Sequence, residues 1–173
     1  GAIGETGGAR ALTKTGSGTL SLSGINTYTG GTTVNNGTLA LTAGGNELGR
    51  IRGALTINSG GTVSADTGWS LGYGTSQVVS TIDINGGTLN FTGGANNGGT
   101  VASTITMTGG TLSGSNFDWY GSITATPSLI TNASATSSTV SSGFRIRHET
   151  VTSVTLNVAA GAAANDLVVS GTI

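Results

Sequence analysis

The triplet Gly-Thr-Leu recurs along this chain, and each copy closes a short Thr-rich apolar run. Five copies are clear, at Gly18-Thr19-Leu20, Gly37-Thr38-Leu39, Gly61-Thr62-Val63, Gly87-Thr88-Leu89 and Gly110-Thr111-Leu112, and two degenerate copies follow at Gly143-Phe144-Arg145 and Gly161-Ala162-Ala163. Successive glycines are 19, 24, 26, 23, 33 and 18 residues apart, a period typical of one coil of a β-solenoid. A repeat of this length cannot bury its own apolar side chains, so we expect each coil to stack on its neighbours.

The residues between these glycines have the pattern of strands. Apolar and polar residues alternate in 81–85 and 103–108, as a strand with one buried face requires. The Asn-Gly, Gly-Gly and Ser-Gly turns between the runs tolerate positive φ. Such turns also suit antiparallel hairpins, so a β-sandwich or barrel is the alternative fold.

The repeat favours parallel stacking over hairpins, because equivalent residues return about 24 residues later and can lie above one another. This register predicts two inward columns of apolar side chains. The first column would contain Ile57, Ile84, Met107 and Val140, and the second Val63, Leu89 and Leu112.

Composition excludes several classes of function. Only 8% of the 173 residues are charged, the formal net charge is -1, and the six Lys and Arg form no cluster, so we expect no nucleic-acid partner. No run approaches the roughly 20 apolar residues of a membrane helix, and we expect no membrane insertion by this segment. The absence of Cys suits an exported bacterial protein and a cytosolic one equally.

Residues 12–41 have the sequence LTKTGSGTLSLSGINTYTGGTTVNNGTLAL. This segment closely resembles the autotransporter-associated β-strand repeat, also called the passenger-associated transport repeat. The resemblance implies an all-β protein with a right-handed parallel β-helix (β-solenoid), located extracellularly on a bacterial cell surface and usually part of a much larger secreted protein. In that family the motif is thought to assist secretion and folding, and it carries no catalytic residues that could be transferred to this chain. We therefore expect a single β-solenoid domain over residues 1–173 with about seven coils.

Residues 116–142 break the rhythm, because the step from Gly110 to Gly143 is 33 residues long. The segment is predicted to be an insertion or loop that projects from the solenoid. It contains Trp119 and Tyr120, which together with Trp69 and Tyr73 are candidates for contact with a glycan or a protein partner, since sugars stack on exposed aromatic faces. Packing of these rings over the core is the alternative for each.

The chain offers little for catalysis or metal binding. Glycoside hydrolysis needs two carboxyl groups at a fixed separation, and the seven acidic residues are scattered. Asp66 and Asp118 could meet across coils, as such groups do in pectin-degrading β-helices, but solvated outward positions are favoured and we expect no enzyme. The only His is His148 and no Cys accompanies it, so no metal set or cofactor is predicted.

The C-terminal residues 165–173 look like the coil that normally precedes a motif such as residues 12–41. The end of the chain thus leads into its own beginning, which predicts tandem copies or head-to-tail stacking of open solenoid ends. The function that follows is a structural one, an extracellular stalk or fibre. The alternative is an adhesin segment that binds glycan or host protein through residues 116–142.

Overall fold

The computed structural model of the protein describes residues 1–42, 49–66, 69–72, 78–93, 102–119, 126–146 and 152–173. Within these ranges no helix is long and apolar enough to cross a membrane. The strands, in chain order, are β1 (Leu12–Lys14), β2 (Thr19–Leu22), β3 (Thr32–Val34), β4 (Gly37–Leu41), β5 (Gly53–Asn58), β6 (Gly61–Ala65), β7 (Val79–Asn85), β8 (Thr88–Phe91), β9 (Thr104–Met107), β10 (Thr111–Gly114), β11 (Phe117–Trp119), β12 (Ser128–Thr131), β13 (Ser138–Val140), β14 (Phe144–Ile146), β15 (Thr155–Val158) and β16 (Leu167–Val169).

These strands form two long sheets and one short one. The first sheet has the order β1-β3-β5-β7-β9-β12-β15, the second has the order β2-β4-β6-β8-β10-β13-β16, and a two-stranded sheet pairs β11 with β14. Neighbouring strands in all three sheets are parallel. Since the chain alternates between the two long sheets, it winds as a parallel β-solenoid, and a sandwich of hairpins is excluded.

The solenoid has about five turns, slightly fewer than the seven coils expected from the glycine repeat. Each long sheet does contain seven strands, but the strands of the last coil leave their inward positions open. Leu156 and Val158 of β15 are 41% and 46% exposed. The interior is therefore fully enclosed only in the coils that lie between the first and last strands of each long sheet.

The core consists of four columns of inward side chains stacked in register. The first sheet contributes Leu12, Thr32, Leu55, Ile82, Ile105, Leu129 and Leu156 in one column and Lys14, Val34, Ile57, Ile84, Met107, Thr131 and Val158 in the other. The second sheet contributes Leu20, Leu39, Val63, Leu89, Leu112, Val140 and Val169, and beside them Leu22, Leu41, Ala65 and Phe91. Each fully buried Val, Leu or Ile stabilises the fold by about 1.5–3 kcal/mol.

The predicted columns are confirmed except for one residue. Val140 lies in the second sheet, above Leu112, and Thr131 takes the place above Met107 that the sequence pattern assigned to Val140. The corner before Val140 contains six residues, 132–137, whereas the corner between β9 and β10 contains three, 108–110. Val140 was aligned with Met107 because each stands three residues before a repeat glycine, but Gly143 precedes β14 of the short sheet and not a strand of the second sheet.

The described part of residues 116–142 is not an insertion. Within it, β12 and β13 are regular members of the first and second sheets, and β11 pairs with β14. Residues 120–125 lie outside the described residues. The step from Met107 to Thr131 is that of an ordinary coil, and the extra length among the described residues lies in the corner 132–137.

Candidate functional site

Residues 12–41 form two successive rungs of each long sheet, β1 to β4. Thr19 and Leu20 of β2 pair with Thr38 and Leu39 of β4, so the Gly-Thr-Leu motif stacks directly on its next copy. Gly37, the first residue of β4, ends the preceding turn with φ 68°. Its N–H donates to the carbonyl oxygen of Gly60 in the following coil at 3.0 Å. The motif therefore joins neighbouring coils through side-chain columns and through its turn.

Lys14 holds the first corner of this segment together. Its side chain is only 8% exposed and occupies the position below Val34 in an inward column. The ammonium group donates to the carbonyl oxygens of Thr15, Gly16 and Asn36 at 2.9, 2.7 and 3.0 Å. Three such bonds match the three donors of an ammonium group, so the lysine satisfies backbone carbonyls of two coils. Sequence reasoning missed this role, although a Lys at an apolar column position was a visible signal.

Two further buried polar side chains fix the connection between β2 and β3. Asn26 accepts a hydrogen bond from the N–H of Ile3 at 2.8 Å and donates to the carbonyl oxygen of Arg50 at 2.6 Å. It thus bridges the coils on either side of it. The Tyr28 hydroxyl lies 2.8 Å from that of Thr32, and burial raises the pKa of Tyr28 while this hydrogen bond opposes the rise.

A ladder of amide side chains runs outside the corner that follows the first sheet. Asn58 donates to the side-chain oxygen of Asn35 at 2.7 Å, and Asn85 donates to that of Asn58 at 3.3 Å. Higher up, Asn132 donates to the Thr108 hydroxyl at 3.1 Å. Each of these residues directly follows an inward column residue, so their recurrence in the sequence could have predicted the ladder. Stacked Asn ladders of this kind stabilise parallel, in-register strands.

Trp119, a predicted contact residue, belongs to the core. It is 1% exposed, and its indole N–H donates to the carbonyl oxygen of Ala102 at 2.7 Å. Its ring lies 6.1 Å from that of Phe117 and 5.9 Å from that of Phe144, and Phe117 in turn stacks on Phe91 at 5.1 Å. Its interpretation as a surface contact is wrong, because β11 and β14 turn these aromatic side chains into the solenoid.

The other three aromatic candidates differ from Trp119. Trp69 is half-buried and has φ 64°, a left-handed conformation that bulky residues rarely adopt. Its carbonyl oxygen accepts from the N–H of Gly72 at 2.8 Å, which closes a tight turn. Tyr73 and Tyr120 lie outside the described residues. A role for Trp69, Tyr73 or Tyr120 in ligand or partner contact stays a prediction.

The repeat glycines fall into two groups. Gly18, Gly37, Gly61, Gly87 and Gly110 each stand at or just before a strand of the second sheet, as the repeat predicted. Gly143 and Gly161 do not, because Ser138–Val140 and Leu167–Val169 fill the two remaining places in that sheet. Gly143 instead precedes β14 of the short sheet, and Gly161 lies in the corner between β15 and β16.

The two acids considered for catalysis are held apart. Asp66 follows β6, Asp118 lies in β11 after β10, and β8 pairs with β6 on one side and β10 on the other. One coil therefore separates them. Asp118 is also engaged by Arg145, whose side-chain nitrogens lie 2.7 and 2.8 Å from one carboxylate oxygen. In the described ranges, no group of three or more His, Asp or Glu could hold a metal ion.

Comparison with known families agrees with the geometry of β1 to β4. A family model described as the passenger-associated-transport-repeat matches residues 12–41. Residues 12–41 are thus similar to this repeat. This repeat and the parallel β-solenoid around it fit an autotransporter passenger repeat protein, and the family suggests secretion to the cell surface. No curated protein and no solved structure matches the chain significantly.

Glu5 holds the N-terminal segment against residues 12–41 through Thr29. One carboxylate oxygen accepts from the backbone N–H groups of Thr29 and Arg10 at 2.8 and 2.9 Å, and the other accepts from the Thr29 hydroxyl at 2.8 Å. The hydrogen bond from the Thr29 amide, followed by that from the Arg10 amide, lowers the pKa of Glu5. The folded state therefore favours the ionised carboxylate.

This contact predicts a loss of order near residue 5 in acid. Because the folded pKa of Glu5 is depressed, its stabilising effect is complete above the ordinary pKa of a glutamate, about 4.3, and declines as the pH falls through that value toward the folded pKa. Hydrogen-exchange protection of the Thr29 and Arg10 amides should fall over this range. In Glu5→Gln, protection should be lower at neutral pH and independent of pH. Equal pH dependence in both proteins would contradict the assignment.

Proposed function

We propose that the chain is a non-catalytic structural module of an extracellular β-solenoid, a segment of a bacterial surface stalk or fibre. The observation that carries this proposal is the continuous stacking of the Gly-Thr-Leu motif. From β2 to β10, residues Leu20, Leu39, Val63, Leu89 and Leu112 form one unbroken inward column. A stack of coils gives length at a constant cross-section, and each coil contacts only its neighbours.

Other features of the structure support a load-bearing role. The core columns, the Asn ladder and the hydrogen bond from Lys14 to the Asn36 carbonyl oxygen all connect successive coils. In both long sheets, neighbouring strands come from successive coils, so their backbone hydrogen bonds also join coils. The passenger-associated transport repeat in residues 12–41 supports placement in a secreted passenger.

We further propose head-to-tail contact of these coils with a second copy. In β15, Leu156 and Val158 continue the two inward columns of the first sheet, yet they are 41% and 46% exposed. In β1, Leu12 continues the column of Leu156 at the opposite end and is only partly buried. The edges of β15 and β1 therefore match in the column of Leu156 and Leu12, whereas Val158 would lie over Lys14, and the backbone groups of both edges favour parallel strand addition.

Electron microscopy of the purified 173-residue chain over a range of concentrations tests this contact. Filaments are expected for the wild type. Leu156→Lys should abolish them because it places a charge in the stacking column, whereas Asn157→Lys, an exposed outward change on the same strand, should leave them intact.

The two parts of the proposal fail in different ways. Separate short rods with intact β-structure would contradict head-to-tail assembly and leave the stalk segment standing. Loss of parallel β-structure in the purified chain, measured by circular dichroism, would contradict the stalk segment itself. In the described part of residues 116–142, no observation favours the adhesin alternative, because Trp119 is buried.

A further inference from the structure

The outward face of the second sheet carries an uninterrupted column of threonines. Six successive strands place a threonine at the same register position, at Thr19, Thr38, Thr62, Thr88, Thr111 and Thr139. All six are exposed or half-buried. A second outward column lies two residues further along the strands, at Ser21, Ala40, Ser64, Asn90 and Ser113. We call these two columns the threonine face.

The threonine face is uncharged and contains no aromatic ring. The corresponding outward column of the first sheet differs, because Thr13, Thr33 and Thr56 are followed by Asp83 and, two strands later, by Ile130. Threonine is common in strands because it fits a pleated, half-buried surface, and this alone explains scattered threonines. It does not explain why only one of two equivalent sheets keeps them on six consecutive strands.

The geometry of the face is that of a small regular lattice. Neighbouring strands are about 4.8 Å apart and residues two apart along a strand are separated by about 6.7 Å, so six rungs span about 24 Å. In-register side-chain ladders of this kind stabilise flat sheets. A threonine also has a stiff χ1 angle, which keeps its hydroxyl and methyl groups at fixed positions.

Side-chain hydrogen bonds order the neighbouring column as well. The hydroxyl of Ser21 lies 3.1 Å from that of Thr42, and the hydroxyl of Ser64 lies 3.4 Å from that of Thr92. Ser113 donates to the side-chain oxygen of Asn90 at 3.3 Å. Little conformational entropy is then lost when the face meets a rigid partner.

The dimensions and chemistry select one kind of partner. Two columns about 6.7 Å apart over about 24 Å offer a few hundred Å², well below the roughly 800 Å² that each side of a stable protein interface buries. Crystalline polysaccharides are recognised by aromatic stacking, which this face cannot supply. An uncharged surface that can donate and accept hydrogen bonds at every rung is instead complementary to ordered water.

We propose that the threonine face binds the surface of ice. The distance between its rungs is close to the repeat of water oxygens along the a axis of hexagonal ice, so hydroxyl groups on successive rungs can occupy equivalent lattice positions. The threonine methyl groups fill the spaces between them. The binding free energies of contacts on successive rungs add because both surfaces are rigid. This binding activity is independent of the structural role proposed above.

Ice-recrystallisation inhibition by the purified 173-residue chain tests the proposal. The wild type is expected to inhibit recrystallisation. Thr62→Tyr places a bulky ring in the middle of the face and should raise the required concentration about tenfold, which corresponds to about 1.4 kcal/mol. Thr56→Tyr is the matched control, because Thr56 is an outward, half-buried residue of the first sheet in the same coil; it should leave inhibition unchanged.

Circular dichroism and thermal unfolding must show that both variants keep the fold, and Thr88→Lys replaces Thr62→Tyr if that variant unfolds. Absence of inhibition by the wild type would overturn the proposal, as would equal loss in Thr62→Tyr and Thr56→Tyr. Retention of the chain on crystalline chitin or cellulose, with the same dependence on Thr62 and no effect on ice, would also overturn it.

Discussion

Replacing Trp119 by alanine is expected to destabilise the solenoid by about 3–5 kcal/mol, the usual effect of truncating a buried Trp. The side chain is 1% exposed and packs against Phe117 and Phe144. The change would also leave the carbonyl oxygen of Ala102 without the indole N–H that now lies 2.7 Å away. Equilibrium unfolding in urea, followed by circular dichroism, measures the effect.

Trp119→Phe separates packing from hydrogen bonding. It keeps an aromatic ring in the cluster but removes the N–H, so we expect a smaller loss of about 1–2 kcal/mol, the net contribution of one hydrogen bond together with some lost packing. If Trp119→Ala instead unfolded at the wild-type urea concentration and lost only a binding activity, Trp119 would be a contact residue and its place in the core would be wrong.

Gly37→Ala is expected to destabilise the fold by about 2–3 kcal/mol, the range for a non-glycine residue forced into a strained backbone conformation. Gly37 has φ 68°. A Cβ at this position would lie 2.5 Å from the carbonyl oxygens of both Gly16 and Gly18 in the preceding coil. Because backbone atoms cannot rotate away as side chains do, the two coils would have to separate at this turn.

Gly18→Ala is the matched control, since Gly18 stands at the equivalent place one coil earlier. Its φ lies outside the left-handed region, and no heavy atom lies within 4 Å of the position of its Cβ. The free energy of unfolding should change by no more than about 0.5 kcal/mol, as for most surface changes. Equal destabilisation by the two substitutions would show that crowding between coils does not explain the recurrence of glycine.

Local patterns predicted much of the fold. Alternation of apolar and polar residues identified the strands near Thr81 and Thr104, and the constant position of Thr and Leu after glycine predicted parallel stacking, because only parallel strands place every copy in the same register. The inward residues Ile57, Ile84 and Met107 followed from this pattern, as did Val63, Leu89 and Leu112. The resemblance of residues 12–41 to a passenger repeat pointed to the same fold.

The candidate site was less predictable. Trp119 was a surface candidate because it lies in a segment that breaks the repeat, but the sequence does not show that β14 lies beside β11 and encloses the ring. Val140 was assigned to the first sheet because the degenerate glycine Gly143 was aligned with Gly110, although it does not precede a strand of the second sheet. Lys14 donates to Asn36 of the next coil, and the Asn ladder joins side chains of different coils, so these partners are set by stacking and not by neighbours in the sequence.

The sequence by itself determined that this chain forms strands, turns at glycines and stacks copy upon copy, since these properties follow from side-chain alternation and from local backbone freedom. Only the tertiary structure decided the length of each corner, and hence which residue fills each column beyond Leu112. The physical reason is that the chain is free to lengthen a corner or a connection without losing core contacts, so the register is chosen by which side chains best fill the interior of the next coil.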